Sequence, residues 1–236
     1  MHTRQIVLDT ETTGIDPKAG HRIIEIGCVE LVNRRLTGNN FHVYINPERD
    51  IEEEAIDVHG ITNEFLRNKP FFHQIAQEFF DYIKGAQLVI HNAPFDVGFM
   101  DHEFAKLNKG YPDTHQYCDV LDTLKMARDL HPGQKNNLDA LCRRYDIDNS
   151  KRTLHGALLD SEILADVYLA MTGGQKKLNL ANQSNQDQQN SAGGIIRLDA
   201  NRAPLKVLAA TADEEQAHLE RMELVDKASG QSLWHQ

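Results

Sequence analysis

Cysteine is scarce in this chain and shows no pairing by spacing. Cys28, Cys118 and Cys142 form no C-x-x-C pair, which argues against a disulfide framework and against a zinc site. Long apolar runs are lacking too. No stretch approaches the roughly 20 residues that span a bilayer, and the amino terminus M-H-T-R-Q-I-V-L-D has no signal-peptide pattern, so a soluble protein of the reducing cytoplasm is expected. Positive charge is outnumbered: 25 Lys and Arg against 35 Asp and Glu give a formal net charge of −10. A chain that gripped nucleic acid unaided would carry a basic face, so any such partner is expected to be bound weakly by this chain alone. The acidity leaves another use open, a carboxylate cluster around metal. The 236 residues, 40% hydrophobic and 25% charged, suit one sizeable soluble core plus a tail.

What is present begins with I-V-L-D-T-E-T-T-G, residues 6–14. Ile6, Val7 and Leu8 read as a buried strand, and alternation along a strand puts Asp9 and Glu11 on one face. Two adjacent carboxylates need a counter-charge, and a hard divalent cation with oxygen ligands is one solution. An exposed strand end neutralised by Lys or Arg is the other. By itself the D-x-E pair does not decide between them.

Residues 22–32 and 41–45 alternate apolar and polar side chains around a turn-rich connection, which predicts an antiparallel hairpin and, with the first strand, a three-stranded meander. The stretch 52–66 looks solvated, but His59-Gly60 interrupts it, either as an ordinary turn or where backbone comes close to something. Pro70 precedes a helix in which Ile75, Phe79, Tyr82 and Ile83 recur at helical spacing, and Gly85 supplies its stop. Residues 88–90 are a short buried strand running into H-N-A-P-F-D, where Pro94 suits a first helical turn and Asp96 lies close to the apolar stripe of Phe95, Phe99 and Leu107. That acid either favours the helix dipole or is a third ligand. A further strand is expected within 117–123, then helices at 124–130 and 138–145 separated by H-P-G. In the last helix Asp160, Leu164 and Val167 share a face, so Asp160 is an acid on a face that should be buried, where it must be paired or metal-bound. His155 stands just ahead of it.

Beyond Gly174 the composition shifts. Residues 181–194 contain no aromatic or branched aliphatic side chain and read as a flexible linker. The expected organisation is therefore 1–174 as the catalytic domain, 175–180 as a short extended peptide, 181–194 as linker and 195–236 as a segment that orders on a partner. Thr211 and Glu214 fit a capping box, and Trp234 is the candidate anchor.

Asp9, Glu11, Asp96 and Asp160, with no thiolate among them, suit a two-metal oxygen site, which stabilises both the attacking and the leaving oxygen of a phosphodiester. His155, with an ordinary pKa near neutrality, can take the proton from the attacking water. The ordered set D-T-E-T-T-G, V-H-G-I-T, H-N-A-P-F-D and H-G-A-L-L-D resembles the DnaQ-type exonucleases, whose DEDDh signature is four acids and a histidine, over roughly residues 5–173. The Q-x-x-L-x-L peptide, the Gln-rich linker and the S-L-W end narrow the resemblance to the proofreading subunits of bacterial DNA polymerase III.

That resemblance implies an α/β fold with a ribonuclease H-like mixed sheet flanked by helices and a flexible C-terminal tail, acting on a DNA 3′ end with two divalent cations, Mg²⁺ or Mn²⁺. It implies Asp9, Glu11, Asp96 and Asp160 as metal ligands and His155 as general base. Thr10, Thr12, Thr13, Glu54, His59 and Phe95, with Asp9, Glu11 and Asp160, would meet the substrate. It further implies a sliding clamp at Gln175, Leu178 and Leu180, the polymerase alpha subunit at the C-terminal segment, and a small theta subunit on the nuclease domain. Proline at position 94, where the family often has another small residue, would stiffen the turn presenting Asp96. The rival readings are an RNA-trimming relative and a non-catalytic scaffold bridging polymerase and clamp.

Overall fold

The apolar run before Asp9 forms the middle of the first strand, β1 (Arg4–Thr12). The structure, a computed structural model, describes residues 3–150, 152, 154–173 and 210–229. Gln175, Leu178, Leu180, the linker 181–194 and Trp234 lie outside the described residues. The chain forms two compact units, Met1–Asn179 and Leu180–Gln236.

In the first unit β1 pairs antiparallel along its length with β2 (Ile23–Val32). On its other side it pairs in parallel with β5 (Gln87–Ile90), which pairs in parallel with β6 (Asp119–Asp122). The far edge of β2 is shared by β3 (Arg35–Leu36) and β4 (Phe41–Tyr44), both antiparallel to it, completing a six-stranded mixed sheet. The expected hairpin and meander are present. One difference is that two residues of the turn-rich connection, Arg35 and Leu36, form a strand of their own, because the chain reverses tightly at Asn33 and Arg34, at φ 50° and 66°, and folds straight back onto the end of β2.

Helices cover both faces. Ile6 and Leu8 pack into a core built with α3 (Phe72–Ile83) and α4 (Ala93–Lys106), whereas Val7 joins α5 (Thr123–Leu130), α6 (Leu138–Tyr145) and α7 (Ala157–Thr172) on the opposite face. Alternation along β1 therefore decides which helix layer each side chain meets. The expected stripe of Ile75, Phe79 and Ile83 is buried. The 52–66 stretch becomes two short helices, α1 (Glu53–His59) and α2 (Asn63–Leu66). Gly60 ends α1 at φ 71° with its N–H on the Ile56 carbonyl, the ordinary turn that was one of the two expectations, and its near neighbour is the end of the half-exposed Leu154 side chain. Glu103 of α4, 1% exposed, takes a bidentate hydrogen bond from Arg22 at 2.7 and 2.8 Å, pinning α4 to the start of β2.

The tightest joint is between α7 and β2. A Cβ on Gly27 would overlap the backbone of Ala157 and Leu158, and the Ser161 hydroxyl donates to the Gly27 carbonyl at 2.8 Å. The helix start lies flush on the strand because position 27 has no side chain. Gly27 is also the antiparallel partner of Asp9, so this contact sets the depth at which Asp160 faces β1. In the second unit, α8 (Ala212–Ser229) is capped as expected: Thr211 N–H donates to Glu214 Oε2 at 2.8 Å and Glu214 N–H donates to Thr211 Oγ1 at 3.3 Å.

Replacing Gly27 with Ala should lift the start of α7, since overpacking against backbone cannot be relieved by a rotamer change. A destabilisation of about 3 kcal/mol in denaturant titration is expected, and unchanged stability would refute the flush contact.

Candidate active site

β1 outruns its parallel neighbour. The β1 to β5 ladder covers only Gln5, Val7 and the residue between them, so the last residues of β1 stand at a crevice beyond the carboxyl ends of parallel strands, the usual place for ligands in open α/β sheets. Its pairing with β2 also shifts register between Glu11 and Thr12, a bulge of the kind that re-aims side chains. Asp9 and Glu11 follow Val7 on the face that α7 covers.

The other two acids come from opposite layers. Asn92 adopts a left-handed conformation at φ 71° and starts α4, with Pro94 in the first turn as expected. This aims Asp96 back at β1, where the Thr10 hydroxyl donates to its Oδ1 at 2.6 Å. Asp160 sits in the first turn of α7 and, like Asp96, is 3% exposed. Glu11 is 8% exposed.

Burial and repulsion show in the protonation of Asp9, Glu11 and Asp96. Burial first, and then Asp96, Glu11 and Asp160, hold the Asp9 carboxyl well above its usual range. Glu11 is pushed up to about 8 by burial and by Asp160 and Glu25. Burial lifts Asp96 to about 7 against the lowering effect of the Thr10 hydrogen bond. The charges are close enough to disfavour one another's ionisation.

Arg152 supplies a cation that the sequence reading did not single out. Its Nε and Nη2 donate to the two oxygens of Asp160 at 2.6 and 2.7 Å, and its Nη1 donates to Asp139 Oδ1 at 2.9 Å. Nη2 also lies 3.1 Å from His155 Nδ1. A guanidinium has no acceptor, so that hydrogen bond needs a bare ring nitrogen. The imidazole is then neutral, in keeping with the burial and the Arg152 charge that push its pKa below the ordinary value. His155 Nδ1 lies 3.6 Å from Asp160 Oδ2. The available signal for Arg152 was a basic pair, Lys151-Arg152, just before an acid that needed a partner.

Beside Glu11 opens a cavity of about 350 Å³ lined by Thr10, Thr12, Glu54, Val58, His59 and Phe95 among others. His59 is 5% exposed; its Nδ1 accepts the Ile61 N–H at 3.0 Å, and its buried Nε2 has no partner of hydrogen-bond geometry. With Nδ1 occupied as acceptor, a neutral His59 carries its proton on Nε2. Thr13 is placed differently: it is fully buried, its hydroxyl lying 3.1 Å from His21 Nδ1 and accepting the Arg22 N–H. It braces the turn and does not line the cavity.

The donor set suits a hard divalent cation. One ligand atom from each of Glu11, His155 and Asp160 lies within 4.8 Å of the others, and Glu11 Oε1 is buried without a hydrogen-bond partner. Arg152 alone cannot balance four carboxyls.

Fold and site together define a nuclease, and the chain belongs to the exonuclease family, whose model, described as Exonuclease, matches residues 6–168. Proteins of this family depend on divalent metal. The chain is similar over its length to the DNA polymerase III subunit epsilon of Escherichia coli (strain K12), 57% identical over 236 residues that cover 98% of this chain and 97% of that protein. The DNA polymerase III subunit epsilon of Pasteurella multocida (strain Pm70) is 58% identical over 243 residues, covering 98% and 93%. Among solved structures, exonuclease X in complex with 5′ overhanging duplex DNA superposes with a TM-score of 0.57 at 25% identity, over 72% of this chain and 94% of that one. The nuclease domain of 3'hExo, a DEDDh family member bound to rAMP, gives 0.62 at 20% identity over 72% and 92%, a likeness of fold. The fold is ribonuclease H-like.

Two outcomes follow for the cluster. Because Glu11 and Asp96 sit near 8 and 7, cation binding must expel protons, and Mn²⁺ affinity should rise with pH across this range and level off above it. The same raised values mean that the metal-free fold binds more protons than the unfolded chain, so it loses stability as pH climbs from the ordinary carboxylate range to about 8. Calorimetric Mn²⁺ titrations on either side of neutrality check the first point, and a pH-independent affinity would contradict it. Separately, Arg152→Gln strips Asp160 of its partner. With both side chains under 10% exposed, a loss of about 3–5 kcal/mol of metal-free stability is expected, in part recovered on adding Mn²⁺; equal melting of the two metal-free proteins would argue against the pairing.

Proposed function

We propose that this chain is the proofreading exonuclease of a DNA polymerase III, removing mispaired nucleotides from a DNA 3′ end by hydrolysis at the acid cluster. The observation that carries the chemistry is the convergence of Glu11, Asp160 and His155 beside a nucleoside-sized cavity. The whole-length identity to epsilon subunits, tail included, supports the editing role over RNA trimming or a purely scaffolding role.

In this reading Asp9, Glu11, Asp96 and Asp160 hold two divalent cations, Mg²⁺ or Mn²⁺. Bound there, such ions stabilise charge on the attacking and leaving oxygens and lower the pKa of water. His155 is the general base. Its imidazole is neutral at rest, faces the cluster from the exposed side, and takes the proton from the attacking water as the phosphodiester breaks. The Asp160 carboxylate beside it stabilises the imidazolium that results. Arg152 orients both groups by bonding to each. The terminal nucleoside enters the cavity between Phe95 and the α1 segment, where the His59 Nε2 proton, Glu54 and the Thr10 to Thr12 backbone meet its polar edges and Phe95 its apolar face. A mispaired end is favoured because less unpairing is needed to reach this single-strand site.

The partners belong to the same reading. Gln175, Leu178 and Leu180 dock on a sliding clamp, residues 195–236 on the alpha subunit of DNA polymerase III, and a theta subunit on the nuclease domain. Leu219 and Leu224 of α8, both more than half exposed at 54% and 57%, suit a protein partner. Among the described residues no helix is long and apolar enough to cross a membrane, and a cytoplasmic location at the replication machinery fits.

The decisive comparison is digestion of a primer with a mismatched 3′ end against its paired counterpart and a short RNA. Faster release from the mismatched DNA is expected, and preference for RNA would overturn the editing role. Asp9→Ala with Glu11→Ala should abolish hydrolysis while leaving polymerase binding intact. His155→Ala should slow turnover by roughly 10²–10⁴ with much less change in KM; unaltered turnover would remove His155 from the chemistry.

A further inference from the structure

The crevice at the acid cluster continues beyond the reacting groups. The hollow formed by Asp9, Arg152, His155 and Asp160 shares two wall residues, His91 and Asn137, with a neighbouring cavity of about 420 Å³. The order along the surface is nucleoside cavity, acid cluster, then this second cavity.

Its lining differs in charge from the adjoining acid cluster. In a chain of net charge −10 it contains no carboxylate, and its charged members are Arg128 of α5 and Lys135 of the connection to α6. Both are exposed. Among the described residues neither side chain makes a hydrogen bond or an ion pair, in contrast to Arg4, Arg22 and Arg152, each held by a carboxylate. Two free cations facing one hollow repel each other mildly, and an anion between them relieves this.

The loop carrying Lys135 is also fixed. Arg144 donates to the Lys135 carbonyl at 2.9 Å and to Asn136 Oδ1 at 3.0 Å, while Asn136, 6% exposed, donates to the carbonyls of His131 and Gln134 at 3.2 and 3.1 Å. Asn137 caps α6 by accepting the Ala140 N–H at 3.0 Å. A buried amide and a dedicated arginine thus fix the backbone that carries the exposed Lys135 side chain, so the loop itself needs little further ordering when an anion binds.

We propose that this cavity is a second nucleic-acid subsite, in which Arg128 and Lys135 hold phosphodiester groups of the substrate strand on the 5′ side of the scissile bond. The proposal rests on the exonuclease reading. With the terminal nucleoside in the first cavity and its phosphate over the acids, the strand leaves through the shared His91 and Asn137 wall. Successive phosphates then come within reach of two long cationic side chains. The contact reads backbone charge and no base, as a processive single-strand path requires.

The test compares the full-length protein with its Arg128→Gln, Lys135→Gln double variant on a single-stranded DNA decamer and on a dinucleotide, which has no phosphodiester beyond the scissile one. In the variant the kcat/KM preference for decamer over dinucleotide should fall on the order of tenfold, mostly through KM. The dependence of log KM on log salt should flatten by about 1.4, the value for two single-strand phosphate contacts. Arg128→Lys with Lys135→Arg, which keeps both charges, should restore the preference. An unchanged preference and salt slope would overturn the subsite, as would an equal loss on both substrates, which would mean that the acid cluster itself had been disturbed. Failure of the unsubstituted protein to digest either DNA would instead refute the exonuclease reading.

Discussion

Like charges crowded in a poorly solvated crevice cannot all remain ionised without a cation, and that electrostatic demand organises this molecule. Asp96, Glu11 and Asp160 raise the proton affinity of Asp9, and Asp160 and Asp96 raise that of Glu11, and without metal the protein meets the demand in two ways. It keeps protons on carboxyls that would ordinarily be ionised, and it lays the Arg152 guanidinium across Asp160. Both are readily exchanged. Protons leave as a divalent ion arrives, and the guanidinium, anchored on Asp139 as well, stays close enough to orient the histidine.

The geometry that creates the crowding is simple. One strand divides two helix layers, and its successive residues serve them alternately. Thr10 reaches the α4 layer and fixes Asp96, while Asp9 and Glu11 face the α7 layer and Asp160. Each layer is locked to β2 by a different device, the Arg22 to Glu103 fork for α4 and the absence of a side chain at Gly27 for α7. The acids meet because both helix starts are referred to the same pair of strands.

Much of this was legible in the sequence for physical reasons. An acid on an apolar helix face, as at Asp160, or directly after a buried run, as at Asp9, contradicts its surroundings unless something neutralises it, and such contradictions are visible without coordinates. The elements carrying these residues were likewise marked by periodicity and by Pro94, Gly60 and Gly85. Other features left no such trace. Arg152 looks like any surface arginine until the fold brings Asp160 and Asp139 to it. Gly27 interrupts no pattern, and its importance comes from a helix far along the chain. Thr13 shares a motif with Thr10 and Thr12, yet its direction depends on the bulge at the end of β1, which sequence alternation does not reveal. The second cavity is a matter of which cations lack partners, and that is a property of the assembled surface.

The flush contact between Gly27 and the start of α7 has a bearing on when the enzyme becomes active. Ser161 and Gly27 are 134 residues apart in the chain, so the joint forms among the last during synthesis, after loop closure over most of the domain. A nascent chain can complete the sheet and α4, and so gather Asp9, Glu11 and Asp96, while still lacking Asp160, His155 and Arg152. Hydrolytic competence is thus withheld from partly made molecules. The acid cluster is complete only once α7 has seated on β2, and the fold itself acts as the timer.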